Sequence, residues 1–328
     1  MTLTQLRSFV EVATTGSVRE AAARLVVSQP AVSAAVAALQ QDLGVPLVAR
    51  DGRGLELTPA GEVFAGYARQ VLGLLEEARG AAAGQLHPER GRVRLAAVTT
   101  AGEHVLPPYL AAFRARCPEA EVTLEVGNRS RVWELLGYRE VDLVIAGRPP
   151  GNGRFTSLAT RTNRLVVVAP AGRAPAGGAP AGAAPAGDGR RQVSIQELAA
   201  QVWLLREPGS GTRSTTEELF DELGISPSTL TLGSNGAIRE SVRAGLGVTL
   251  ISRDAVIREL ERGGLEQWCC PGVPLERGWH AVARAGEEPP PTAELFLAGL
   301  AVAVKGGGSE PFRLSRRPSP LAGPGYLE

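Results

Sequence analysis

The run Leu205-Arg206-Glu207-Pro208-Gly209-Ser210-Gly211-Thr212-Arg213 carries the densest local chemistry in the second half of the chain. It follows a strand-like run and opens a helix-like one. A glycine-flanked Ser-Gly-Thr at a helix start offers backbone N–H groups and two hydroxyls to an anion. Arg213 adds a planar fork of donors if it turns inward. Helix capping alone would also use a Ser or Thr here, but the flanking glycines give more freedom than a cap requires. Thr99-Thr100, Asn128 with Ser130, and Gly233-Ser234-Asn235-Gly236 occupy matching strand-to-helix junctions. Open α/β sheets bind ligands beyond strand C-terminal ends, so the four loops together outline one cleft. Its expected lining is Thr99, Thr100, Asn128, Ser130, Ser210, Gly211, Thr212, Arg213, Ser234 and Asn235, and its expected ligand is a small anion.

The first half offers a different chemistry. Gln29, Ser33, Ala37 and Gln40 line one face of a helical run, beside the apolar stripe Val32, Val36, Leu39 and Leu43. Pro30, Ala34 and Gln41 broaden that face. Amide and hydroxyl side chains hydrogen-bond base edges in the major groove, and small residues let the helix approach closely. Ser28 and the open N–H groups at the helix start suit a phosphate. Arg50 and Arg53, in the extended segment that follows, can reach the DNA backbone. A plain solvated helix face would show the same residues. Residues 1–60 carry five arginines against five acids, so one copy lacks the excess charge that drives non-specific DNA binding. Two or four copies on one DNA would add through effective concentration.

Other chemistries find no support. Cys117, Cys269 and Cys270 form neither a disulfide framework nor a metal knuckle, and His87, His104 and His280 are scattered. No Gly-x-Ser-x-Gly elbow, P-loop or dinucleotide fingerprint is present. An enzyme would need an activated nucleophile, and no histidine is marked as a base for Ser210 or Thr212. No metal or organic cofactor is expected. The longest apolar runs fall far short of the roughly 18–20 residues of a membrane span. Met1–Glu11 has no signal-peptide pattern, which gives a cytoplasmic expectation and speaks against a secreted solute-binding protein.

These residues need elements to hold them. The 328 residues, 44% hydrophobic and 21% charged, suit two soluble domains. Leu3, Leu6, Phe9, Val10 and Ala13 recur at helical spacing. Ser17 opens a second helix with Val18, Ala21, Ala22 and Leu25 inward, and Ser28 opens a third that ends at Gly44. Two helices joined by a tight turn make a helix-turn-helix. Pro46–Arg50 and Leu55–Leu57 around Asp51-Gly52 predict a β-hairpin wing. Thr58-Pro59 starts a helix of about 25 residues, roughly 37 Å long. Its stripe (Val63, Phe64, Tyr67, Val71, Leu74 and Leu75) exceeds the needs of a small domain and suits a second copy of the chain.

Residues 1–58 are therefore read as a winged DNA-binding domain, 59–84 as a linker and dimerisation helix, and 85–91 as a hinge. Beyond them, short apolar strands alternate with helices, which predicts a mostly parallel α/β domain over 92–304. Between 171 and 189 every residue but Arg173 and Asp188 is Ala, Gly or Pro, so no packed core is expected there. The tail 305–328 is read as flexible.

Residues 3–64 resemble the N-terminal domain of LysR-type transcriptional regulators. The matching string is Leu6, Phe9, Gly16, Ser17, Ala21-Ala22, Leu25, Ser28-Gln29-Pro30-Ala31-Val32-Ser33, Leu39, Leu43-Gly44, Leu47, Arg50 and Leu57-Thr58-Pro59-Ala60-Gly61. The chain departs from many members at Ala34 (basic or larger polar), Gln40 (glutamate) and Val48 (phenylalanine). The α/β remainder fits the family's two-lobed, periplasmic-binding-protein-like effector domain. Lobe one would span about 92–161 and 270–304, and lobe two about 162–269. Arg206–Arg213, Ser234-Asn235 and Ala244–Val248 are most similar to regulators of carbon fixation and sulfur assimilation. The resemblance implies a homodimer or tetramer on partly palindromic promoter DNA. It also implies control by a small anionic effector between the lobes, with Ser28, Gln29, Pro30, Ser33, Ala34, Gln40, Arg50 and Arg53 facing the DNA. The alternatives are an enzyme or solute-binding activity on the α/β half, or a DNA-binding protein without a working pocket.

Overall fold

A computed structural model describes residues 1–51, 54–84, 87–172, 191–303 and 310–315. Arg53, residues 85–86 of the expected hinge, residues 173–189 of the expected insertion and most of the expected tail lie outside these.

Helix α1 (Leu3–Thr15) opens on a capping box between Thr2 and Gln5 and ends at Gly16 with φ 64°. α2 (Val18–Leu25) is capped by Ser17. α3 (Gln29–Leu43) is capped by Ser28 and ends at Gly44 with φ 71°, the left-handed conformation glycine adopts without a Cβ clash. α2 and α3 cross at 108°, within the range of a helix-turn-helix. The wing is β1 (Val48–Asp51) paired antiparallel with β2 (Gly54–Leu57). Leu6, Phe9, Val12, Ala21, Ala22, Val32, Val36, Leu39 and Leu47 form the buried core. Each Leu- or Phe-sized side chain there contributes about 1.5–3 kcal/mol. Leu3 and Leu43, expected to face inward, are 42% and 37% exposed, because each lies at an end of its stripe.

α4 (Pro59–Gly84) runs 26 residues from this domain toward the α/β domain. Thr58 Oγ1 accepts from Gly61 N at 3.0 Å and donates to Pro46 O at 2.7 Å. A Cβ on Gly61 would sit 1.9 Å from the Leu47 carbonyl oxygen, so only glycine lets the helix meet the wing this closely. Phe64 turns inward and meets Phe9 with ring centroids 5.5 Å apart.

The α/β domain continues with β3 (Arg92–Val98), α5 (Leu106–Arg116), β4 (Glu121–Gly127), α6 (Arg129–Gly137), β5 (Leu143–Ala146) and β6 (Phe155–Pro170). Next come β7 (Arg191–Gln192), α7 (Ile195–Ala199), β8 (Val202–Leu205), α8 (Gly211–Leu223), β9 (Ser228–Thr231), α9 (Asn235–Arg243) and β10 (Thr249–Ser252). α10 (Ile257–Glu261), β11 (Leu265–Cys269), β12 (Leu275–Arg284), α11 (Pro291–Leu300) and β13 (Arg313–Leu314) complete it. β3 pairs parallel with β4 and β5, and β8 with β9.

The expectation of a mostly parallel sheet is corrected by the 16-residue strand β6, which pairs antiparallel with β10, β11, β12 and β13. The first part of β6 belongs to one lobe and its second part to the other, so β6 and β12 are the crossings between them. Lobe one packs α5 and α11 on one face of its sheet and α6 on the other. Lobe two has its own apolar clusters. The expectation of a flexible tail is corrected at residues 310–315, which return to lobe one. Phe312 is 2% exposed and packs its ring on Tyr109, and β13 extends the sheet.

Candidate functional site

A cleft of about 480 Å³ opens between the lobes. Lobe one supplies Val98-Thr99-Thr100 after β3, Gly127-Asn128-Arg129 after β4, and Gly147-Arg148 after β5. Lobe two supplies Arg206-Glu207 after β8 and Ser210, Gly211 and Thr212 at the start of α8. β12 closes one wall with Glu276, Arg277, Gly278, Trp279 and His280. The N-terminus of α8 lies at its wall, and Ser210 is buried without capping its own helix. Arg129 Nη2 donates to the Arg148 carbonyl at 2.7 Å within lobe one, and its side chain passes beside Gly211 of lobe two. Four arginines and three glutamates line the cleft. Glu207 is occupied by Arg206 at 2.7 and 2.8 Å, and Glu218 lies 3.4 Å from Arg277. Among the described residues no carboxylate pairs with Arg129 or Arg148, so two guanidinium charges remain for a ligand.

A buried hydrogen-bond chain crosses between the lobes at this level. Asn235 Nδ2 donates to Thr100 Oγ1 at 2.8 Å, and Asn235 Oδ1 accepts from Arg206 Nη1 at 2.7 Å. Burial, then the nearby Arg148, holds His280 below the ordinary imidazole value of 6.5. Its Nδ1 lies 2.9 Å from Ser157 Oγ. The carboxyl of Glu207 is held low: burial works to raise it, but the hydrogen bonds from Arg206 and its own backbone outweigh that.

At the other end of the molecule, Ser28, Gln29, Pro30, Ser33, Ala34 and Ala37 form one exposed face of α3, and Arg50 is exposed on the wing. Ser28 Oγ is already engaged, accepting from Ala31 N at 3.4 Å. Gln40 leaves this face: its Oε1 accepts from Leu47 N at 2.8 Å and Val48 N at 3.2 Å. It anchors the start of the wing instead.

Two family profiles match the chain. Residues 3–62 match the bacterial regulatory helix-turn-helix proteins of the lysR family, and residues 87–303 match the LysR substrate binding domain. This chain belongs to the LysR family. The HTH-type transcriptional regulator CbbR of Rhodospirillum rubrum is 33% identical, over 92% of this chain and 97% of its own length. The RuBisCO operon transcriptional regulator of Allochromatium vinosum is also 33% identical, over 90% and 94%. A full-length OxyR variant of Pseudomonas aeruginosa shares the fold, with TM-score 0.70, 23% identity and coverage of 97% and 99%. The regulatory domain of Synechocystis PCC6803 CcmR, in complex with 2-PG, gives TM-score 0.57 and 29% identity, over 66% of this chain and 98% of that one. The LysR-type chain is thus a DNA-binding transcriptional regulator with an effector domain.

Of the residues this LysR-type regulator was expected to bring into the cleft, Thr99, Thr100, Asn128, Ser210, Gly211 and Thr212 line it. Ser130 and Ser234 do not; both are exposed, and Ser234 caps α9 through Ala237 N. Asn235 acts one step behind the wall, through Thr100 and Arg206. Arg213 turns away: Nε donates to Glu217 Oε1 at 2.8 Å and Nη1 to the Arg206 carbonyl at 3.2 Å. Arg129, Arg148, Arg277 and His280 were missed. Arg129 and Arg148 each lie two residues beyond a strand end, the only signal that marked them. On α4, Val63, Tyr67, Val71 and Leu74 are 65%, 64%, 45% and 52% exposed. Phe64 and Leu75, expected beside them, are half-buried within the chain.

Proposed function

We propose that this regulator controls carbon-fixation genes in the cytoplasm, in response to a small anion bearing phosphate or carboxylate groups. The observation that carries the reading is the pair Arg129 and Arg148, without carboxylate partners among the described residues, facing the hydroxyls of Thr99 and Thr100 and the N-terminus of α8. Anions are favoured at a helix N-terminus and by guanidinium forks. The kinship to regulators of the RuBisCO operon supports the choice of target genes, and the 2-PG complex of the cyanobacterial relative supports the ligand class. On the DNA side, Gln29, Ser33, Ala34 and Pro30 read the major groove, while Ser28 and Arg50 hold phosphates. Val63, Tyr67, Val71 and Leu74 join two copies into the homodimer that a two-half-site promoter requires.

The test is DNase footprinting on the gene's own upstream region, with and without 2-PG. A protected site tens of base pairs long is expected, lost in a Gln29→Ala, Arg50→Ala double variant. The ligand should change its extent. Arg148→Ala should weaken that response about 10- to 100-fold, as expected for losing a charge-assisted bond. A footprint identical at saturating 2-PG, inorganic phosphate and small dicarboxylates would refute the effector reading. No protection at low salt would refute the DNA reading.

A further inference from the structure

α6 touches both working ends of the domain. Its N-cap Asn128 accepts from Arg131 N at 2.9 Å and lines the cleft beside Arg129. Its inner face, Val132, Trp133, Leu135 and Leu136, is buried against β3, β5 and β12, so its nine residues act as one rod of about 13 Å. The far end seats the linker helix α4. A Cβ on Gly73 would lie 2.5 Å from the Tyr138 carbonyl oxygen and 2.7 Å from Arg139 Cβ. The Tyr138 ring packs on Gly66 and under the Arg69 guanidinium, 5.4 Å away.

Arg139 has φ 61°, a costly conformation for a residue with a Cβ. Three contacts hold it there. Its carbonyl accepts from Arg94 Nη1 at 2.9 Å, its Nη1 donates to Glu77 Oε2 of α4 at 2.9 Å, and its guanidinium also pairs with Glu287. Arg284 Nη2 reaches the same Glu77 oxygen at 2.7 Å. Glu77 has only 13% of its side chain exposed, so this clamp is better shielded than an open surface ion pair.

We propose that α6 couples the cleft to the linker helix, with Gly73, Glu77 and Arg139 as positioning residues. The proposal rests on the reading of the cleft as the effector site. An anion that draws Asn128 and Arg129 inward tilts the rod, and its far end resets the angle at which α4 leaves lobe one. Coupling requires a contiguous element that both sites bias, and it is reciprocal: DNA must alter the cleft by the same factor that ligand alters DNA binding.

The experiment compares full-length wild type with Glu77→Gln, which keeps the shape and removes the charge. The Kd for 2-PG is measured on free and on DNA-bound protein. The wild-type ratio should differ from one by at least fivefold. In Glu77→Gln it should fall within twofold of one, while the Kd of the free variant stays within threefold of wild type. Glu77→Asp should restore part of the ratio. An unchanged ratio in Glu77→Gln overturns the proposal. Hydrogen exchange without ligand gives an independent arm. Adding promoter DNA should alter the amides of 129–133 in wild type and not in Glu77→Gln, and equal changes, or none in wild type, overturn it. If 2-PG binds neither protein, the choice of ligand fails and the exchange arm decides the coupling alone.

Discussion

Two histidines set a measurable pH dependence at the scale of single residues. His104 and His280 are both held below 6.5, first by burial and then by Arg239 and Arg148 respectively. The unfolded chain takes up protons at 6.5 where the folded chain does not. Folding is therefore fully favoured above 6.5 and loses stability as pH falls through that value. The melting temperature should drop between pH 7.5 and 5.5, and His280→Gln should flatten the drop. Glu207 and Glu287 are held below the ordinary 4.5, where arginine hydrogen bonds outweigh burial, and so stay out of this window, whereas burial raises the Glu140 carboxyl, which acts in the opposite sense on acidification. A melting temperature that rises on acidification would refute the assignment. Residue roles were only partly legible in the sequence. Residue type and loop position located Thr99, Ser210 and Thr212. Side-chain direction did not follow from them: Arg213 and Gln40 had the right chemistry and are committed to Glu217 and to the wing amides.

Elements were more legible than residues, because caps and periodicity are local. Ser17, Ser28, Gly16 and Gly44 marked their helix ends where the structure has them. Strand direction is a tertiary property, and the apolar run Leu165–Ala169 gave no sign that it belonged to a 16-residue crossing strand. Threonines and a serine that precede this run, Thr156 to Thr162, interrupt the apolar pattern and hid its first half. The long helix was readable in length but not in the role of each side. Its stripe splits into Phe64, packed on the N-terminal core, and Leu75, half-buried, against Val63, Tyr67, Val71 and Leu74, left outward. Placing Val71→Glu and Leu74→Glu on the outward side sets like charges across a symmetric interface. Sedimentation velocity should then show monomer, and promoter affinity should fall roughly 100-fold as the two half-sites lose their linkage. A double variant that remains dimeric would place the interface elsewhere.

For the whole molecule, a shared architecture does not carry a shared sensing chemistry. The chain superposes on OxyR of Pseudomonas aeruginosa along nearly its full length, yet two of its three cysteines are poorly placed to react. Cys117 is 1% exposed in the core of lobe one. Cys270 is 8% exposed, and burial, then the neighbouring Cys269, pushes its thiol up to about 12. The thiolate is the species that peroxide oxidises, and at neutral pH such a group is only about one part in 10⁵ thiolate, a tenfold loss per pH unit below its pKa. What the lobes do present to solvent is a cleft lined by Arg129 and Arg148, neither paired with a carboxylate among the described residues. Hydrogen peroxide at tenfold excess should thus leave the promoter footprint unchanged, and so should replacing Cys270 by Ser, while 2-PG alters it. A footprint that shifts with peroxide and is restored by thiol reductant would make Cys269 or Cys270 a sensor. The cleft, whose buried Thr100–Asn235–Arg206 chain already joins the two lobes, would then be the lesser of two inputs.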